Sequence, residues 1–136
     1  MFEAYTTSTE IYELNDVVAL TDIRFRDCRI VTPNTTSIRI NAPGRYYVEF
    51  HALGASNTAA SPFTVALYRN GVAIPGVATT VTSTAAGDVQ TMSLSTIINV
   101  PPSNCYIDNE VNLTLVVTST EPGTITGGNL VIFRLR

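Results

Sequence analysis

The chain has no lysine and no tryptophan, a single histidine and only two cysteines in 136 residues. Each shortage removes a class of function. All eight basic residues are arginine, the net charge is −3, and the densest basic group is Arg24, Arg26 and Arg29. That is too sparse for the positive field on which broad nucleic-acid binding rests. The missing lysine fits a lineage bias or a surface avoiding amine chemistry, and no physical principle chooses between them. Cys28 and Cys105 are too few for a disulfide framework, and no C-x-x-C pair is present to hold a metal. They fit separate buried thiols, since free cysteine packs as a small hydrophobe. One bridge between them stays open, because sequence alone does not set their Cα separation. Uncharged stretches such as 71–86 are interrupted by Thr, Pro and Gly, which excludes a membrane-spanning helix there. The N-terminus carries Glu3, Glu10 and Glu13 where a secretion signal carries basic residues, so no such signal is expected.

What is present is apolar. Hydrophobic residues make up 45 % of the chain against 14 % charged, and mean hydropathy is +0.20. The length suits one domain with a real core, but so few charges leave apolar surface that wants covering. Self-association is the expected cover.

The pattern is that of strands. In VALYRNGVAIPG, residues 65–76, two alternating apolar runs flank Asn70-Gly71. Both central residues of a type I′ turn need positive φ, which Asn and Gly tolerate best, so a hairpin is predicted. Strands are predicted at 17–20, 22–30, 37–40, 45–53, 63–68, 72–74, 89–100, 110–118 and 129–136, with only a weak helical candidate at 10–20. The turn signals are Thr32-Pro33-Asn34, Ala42-Pro43-Gly44, Asn70-Gly71, Pro75-Gly76, Ala86-Gly87-Asp88, Pro101-Pro102-Ser103-Asn104, Glu121-Pro122-Gly123 and Gly127-Gly128. Strands so spaced, with no helix between them, make a sandwich or barrel. Parity puts Tyr46, Val48, Phe50 and Ala52 on one face of their strand, and Tyr47, Glu49, His51 and Leu53 on the other. Val111, Leu113, Leu115 and Val117 likewise share a face.

The final strand breaks that rule. Leu130 and Ile132 point one way, while Val131, Phe133 and Leu135 point the other. A strand apolar on both faces is covered on both faces. In a one-domain sandwich the outer cover is expected to be another subunit. Burying three such side chains at about 1.5–3 kcal/mol each favours association before its entropic cost.

Ala42-Pro43-Gly44-Arg45-Tyr46-Tyr47-Val48 resembles a strand of the trimeric jelly rolls related to complement and tumour necrosis factor. The "L-x-x-N-G-x-x-I-P-G" pattern within 65–76 is similar to their bacterial and phage branch, which includes the heads of spore-surface collagen-like glycoproteins. Residues 126–135 resemble the strand lining the threefold axis. The likeness spans 17–136. It implies an all-β fold: a ten-strand, two-sheet antiparallel jelly-roll sandwich, TNF-like, assembling as a homotrimer through Tyr47, Val131, Phe133 and Leu135. It also implies a non-enzymatic knob or adhesive head without cofactor. Neither a collagen stalk nor a secretion signal is visible, which favours a phage virion protein (head fibre, decoration protein or fibre tip) over a spore- or cell-surface head. Residues 1–16 are then either an extension docking the head, residues 17–136, to a capsid through Phe2, Tyr5, Ile11, Tyr12 and Leu14, or a first strand with a tether.

The inventory for chemistry is thin. Glu49 and His51, two apart on a strand, share a face and can pair as orienter and base. No nucleophile elbow accompanies them, so a small hydrolase is the weaker reading and a hydrogen-bonded pair the stronger. Histidine charges near neutrality, so a pH-sensitive trimer is a residual expectation. Asp16, Asp22, Asp27, Asp88, Asp108 and Glu110 lie near turns but lack calcium-loop spacing, so no metal is expected. Gly127-Gly128 is no phosphate loop, since no helix follows. Asn34-Thr35-Thr36 and Asn112-Leu113-Thr114 are glycosylation sequons only on a secretory route. The loops expected at 54–62, 78–88 and 121–128, small and polar, suit weak multivalent contact with glycans or a capsid, and equally mere solubility.

Overall fold

The structure, a computed structural model, describes residues 1–6, 10–102 and 110–135. They form eleven strands and no helix: β1 Phe2–Tyr5, β2 Ile11–Tyr12, β3 Asp22–Phe25, β4 Ile30–Asn34, β5 Ser37–Ile40, β6 Gly44–Ser56, β7 Pro62–Arg69, β8 Val72–Thr82, β9 Gln90–Val100, β10 Val111–Val117 and β11 Gly123–Leu135. One antiparallel sheet runs β3-β1-β11-β6-β9, with β2 also on β11; the other runs β4-β5-β10-β7-β8. The two stack face to face as a jelly roll.

Alternation builds the core between them. Tyr46, Val48, Phe50 and Ala52 of β6, Leu130 and Ile132 of β11, and Val111, Leu113, Leu115 and Val117 of β10 are all buried, as their parity predicts. Asn70 and Gly71 both take positive φ, 50° and 80°, and Arg69 pairs with Val72 across them. The type I′ hairpin is present.

Other boundaries depart from the sequence-based expectation. Residues 17–20 make no strand; Val17 forms one isolated bridge with Val116. The 22–30 run breaks after Phe25, because the Asp27 carboxylate accepts from the Arg29 backbone N–H at 3.0 Å and closes a turn. Thr32-Pro33-Asn34 lies inside β4, not in a turn. The turn follows at Thr35-Thr36, where the Asn34 side chain accepts from the Thr36 N–H at 2.9 Å. Pro33 is tolerated because β4 is an edge strand lacking a neighbour on one side. Pro75-Gly76 does not end β8 either. Gly76, at φ 77°, bends an edge strand that continues to Thr82. Gly127-Gly128 is likewise a bulge within β11, where the register to β6 shifts between Thr126 and Asn129. The expected loops 54–62, 78–88 and 121–128 are therefore partly strand. Cys28 is an exposed free thiol rather than a buried one, and Cys105 lies outside the described residues.

The N-terminal residues belong to the sandwich. Phe2–Tyr5 pairs with β11 on one side and β3 on the other, with Phe2 and Ala4 in the core.

Gly123 opens β11 where a side chain has no room. An added Cβ would lie 2.7 Å from the Ala55 carbonyl oxygen and closer still to the buried Phe63 ring. Gly123→Ala is expected to lower the unfolding free energy by about 1–3 kcal/mol in urea titrations, the usual cost of overpacking.

Candidate functional site

The outer face of the β11 sheet is where this molecule is least like a closed monomer. Strand registers lay its side chains in rows. Ile97 of β9 stands opposite Tyr47 of β6, and Tyr47 opposite Phe133 of β11. The Tyr47 and Phe133 rings approach to 5.0 Å at 37°, a favourable tilted aromatic pair. The next row toward the chain ends is Asn99, Arg45 and Leu135, and the row behind is Ser95, Glu49, Val131 and Glu3. Ile97 is 57 % exposed, Leu53 46 % and Phe133 38 %, while Tyr47, Val131 and Leu135 are half-buried. Tyr47, Val131, Phe133 and Leu135, predicted as contact residues, thus share one face with Leu53, which parity placed there, and with Ile97, which the sequence reading did not single out. An apolar strip on the solvent side of a sheet, rimmed by polar groups, is the signature of an interaction surface.

The other half of the face is an ordered polar cluster. Glu3 is buried, and its carboxylate accepts from Arg24 at 3.1 Å and from the Asn129 amide at 3.0 Å. The Arg24 guanidinium also lies 4.7 Å over the Tyr5 ring, a cation–π contact. His51 Nε2 meets the Glu49 carboxylate, as their shared face predicts. Ser93 is the cross-strand neighbour of His51. β6 is paired on both edges, to β11 and β9, with the Gly127-Gly128 bulge beside His51. The Glu3–Arg24–Asn129 group was not legible, because it depends on β1 entering the sheet.

The candidate docking residues separate. Phe2 and Tyr12 are core residues and Tyr5 is half-buried under Arg24; Ile11 and Leu14 stay exposed. Burial pushes the Tyr12 hydroxyl up from its ordinary range. Among the described residues no cluster of metal-ligating side chains occurs. Asp108 lies outside them.

Asp27 is engaged otherwise. Its carboxylate, 4 % exposed, takes a two-pronged pair from Arg29 at 2.9 and 3.0 Å and the Met1 α-amine at 3.2 Å.

No protein-family model matches the sequence, and no curated protein matches it. Solved structures do match it. The globular domain of a zebrafish complement 1qA protein superposes with TM-score 0.70 at 11 % identity, covering 99 % of this chain and 96 % of that one. The Eiger TNF of S. frugiperda gives 0.72 at 10 %, covering 99 % and 93 %. Murine APRIL gives 0.58 at 8 %, covering 98 % of each. The fold is a complement- and TNF-like jelly roll. None of these three belongs to the bacterial and phage branch that the motifs resemble.

Hydrogen bonds from the Arg29 side chain hold the Asp27 carboxyl far below the usual carboxylate range, against the opposing effect of burial. A depressed carboxyl stabilises the fold above its unfolded pKa of about 4 and loses that contribution as pH falls below it. Asp27→Asn is therefore expected to flatten the acid limb of melting temperature against pH between about pH 5 and 2, with little added loss at the acid end.

Proposed function

We propose that this chain is a non-enzymatic head that assembles as a homotrimer through the outer face of the β11 sheet. One observation carries this: β11 is central in its sheet and apolar on both faces, and only its inner face is covered within the chain. Full burial of an aliphatic or aromatic side chain is worth about 1.5–3 kcal/mol. Ile97, Leu53 and Phe133 bring much of that, in each copy, against the entropy lost on association. The likeness to complement and TNF-type heads supports three copies rather than two. The Glu49–His51 pair, with no nucleophile elbow beside it, supports a structural polar contact rather than hydrolysis.

The setting we favour is a virion surface, with a capsid partner near the N-terminal segment and outer loops presented to host or glycans. Its support is the order of the sequence motifs and the exposed residues Ile11, in β2, and Leu14, just after it. A spore- or cell-surface head is the alternative.

Two variant sets test these claims. Phe133→Asp and Ile97→Asp are each expected to yield monomers by native mass spectrometry while the β-sheet circular dichroism is kept; an unchanged assembly in both overturns the interface. Ile11→Ser with Leu14→Ser is expected to leave the assembly intact and lower particle occupancy several-fold, and unchanged occupancy moves the attachment elsewhere.

A further inference from the structure

Where β6 begins and β11 finishes, the end of the sandwich opens into a cleft of about 810 Å3, lined among others by Arg29, Arg45, Val100, Phe133 and Arg134. Three of the eight basic residues of a chain with net charge −3 meet there. No aspartate or glutamate is among the described residues lining it. Arg29 is neutralised from beneath by Asp27. Arg45 and Arg134 have no carboxylate partner among the described residues.

Two of the guanidiniums are seated by the fold. Arg134 packs over Gly44, where a Cβ would lie 2.7 Å from Nε. Gly44 also holds φ 142°, which other residues resist. Arg29 is fixed by its two-pronged pair with Asp27. Both act on Tyr46, whose hydroxyl donates to the Ala42 carbonyl at 2.8 Å; burial raises its pKa and the two arginines oppose that rise. Arg45 stands on the outer face beside Asn99 and Leu135. Like charges gathered in a concave site focus a positive potential. The volume falls in the range of small-molecule sites, about 300–1,000 Å3.

We propose that this cleft binds a phosphate-bearing small molecule. A phosphate monoester carries about −1.5 to −2 at neutral pH, which balances the Arg45 and Arg134 guanidiniums, without a carboxylate partner among the described residues, where a single carboxylate would not. Arginine's fork matches phosphate oxygens in two-pronged fashion. Phe133, Val100 and Pro43 offer an apolar bed for the remainder of the ligand. The lining comes from one protomer, but Arg45, Phe133 and Leu135 also stand on the face proposed for assembly, so binding is read on the monomeric Ile97→Asp chain as well.

The test is an NMR titration of the full chain at low salt with two probes, pyrophosphate and phenyl phosphate, and sodium chloride at matched ionic strength as control. Saturable shifts confined to the cleft are expected, weakened at least tenfold in Arg134→Gln and in Arg45→Gln. Arg45 is exposed, so its variant keeps the test sound if Arg134→Gln does not fold. Tighter phenyl phosphate indicates an organic phosphate on the apolar bed; tighter pyrophosphate indicates an inorganic one. Shifts that do not saturate, that chloride reproduces, or that both variants retain overturn the proposal. Masses read on the same samples, with the titration repeated on Ile97→Asp, whose substitution lies outside the cleft lining, separate the two claims. An unmodified chain that binds as a monomer contradicts only the trimer, and a folded Ile97→Asp monomer that does not bind contradicts only the cleft.

Discussion

β11 is hydrogen-bonded along both edges, to β6 on one side and to β1 and β2 on the other, and it is greasy on both faces. The rest of the molecule depends on that strand. Its inward Leu130 and Ile132 close the core with Phe50 and Val48 of β6, while its outward Val131, Phe133 and Leu135 make the exposed strip. Such a strand has a specificity problem. A slip of one residue exchanges the two sets of side chains, and with apolar residues on both faces the penalty for slipping is small. The Gly127-Gly128 bulge supplies the missing constraint. Gly128 fits against Phe50 and Thr6, and its carbonyl accepts from the Thr6 amide at 2.8 Å. The N-terminal strand therefore locks the register of the C-terminal one.

That lock explains what was legible in the sequence. Strong alternation in β6 and β10, and Asn-Gly between β7 and β8, dictate their local structure without help, so faces and hairpin follow from residue order. Pro75-Gly76 and Gly127-Gly128 misled because the same dipeptides that end strands also bulge them; only an edge position or a partner strand tells the two apart. The N-terminal Phe2–Tyr5 segment is too short to announce itself. It is a strand because β11 and β3 flank it. Cys28 was misplaced for a related reason: the Asp27 turn ejects it from a strand that the sequence pattern continued.

The candidate surface was legible in its middle and not at its edges. Val131, Phe133 and Leu135 betray themselves by breaking alternation, whereas Ile97 has polar Ser95 and Asn99 on either side of it on the same face and counts only because cross-strand register sets it beside Tyr47. The polar cluster and the arginine cleft lie further from view. Glu3 with Asn129, and Arg29 with Arg134, meet across nearly the whole length of the chain. No local spacing encodes such meetings; topology does.

The central claim is that water does not wet the outer face of β11 in the protein's working state. Sedimentation equilibrium of the unmodified chain measures this most directly. The expected result is one species of about 44 kDa, three times the 14.7 kDa of the chain, holding together on dilution to low micromolar concentration. A stable 14.7 kDa species across that range would contradict it.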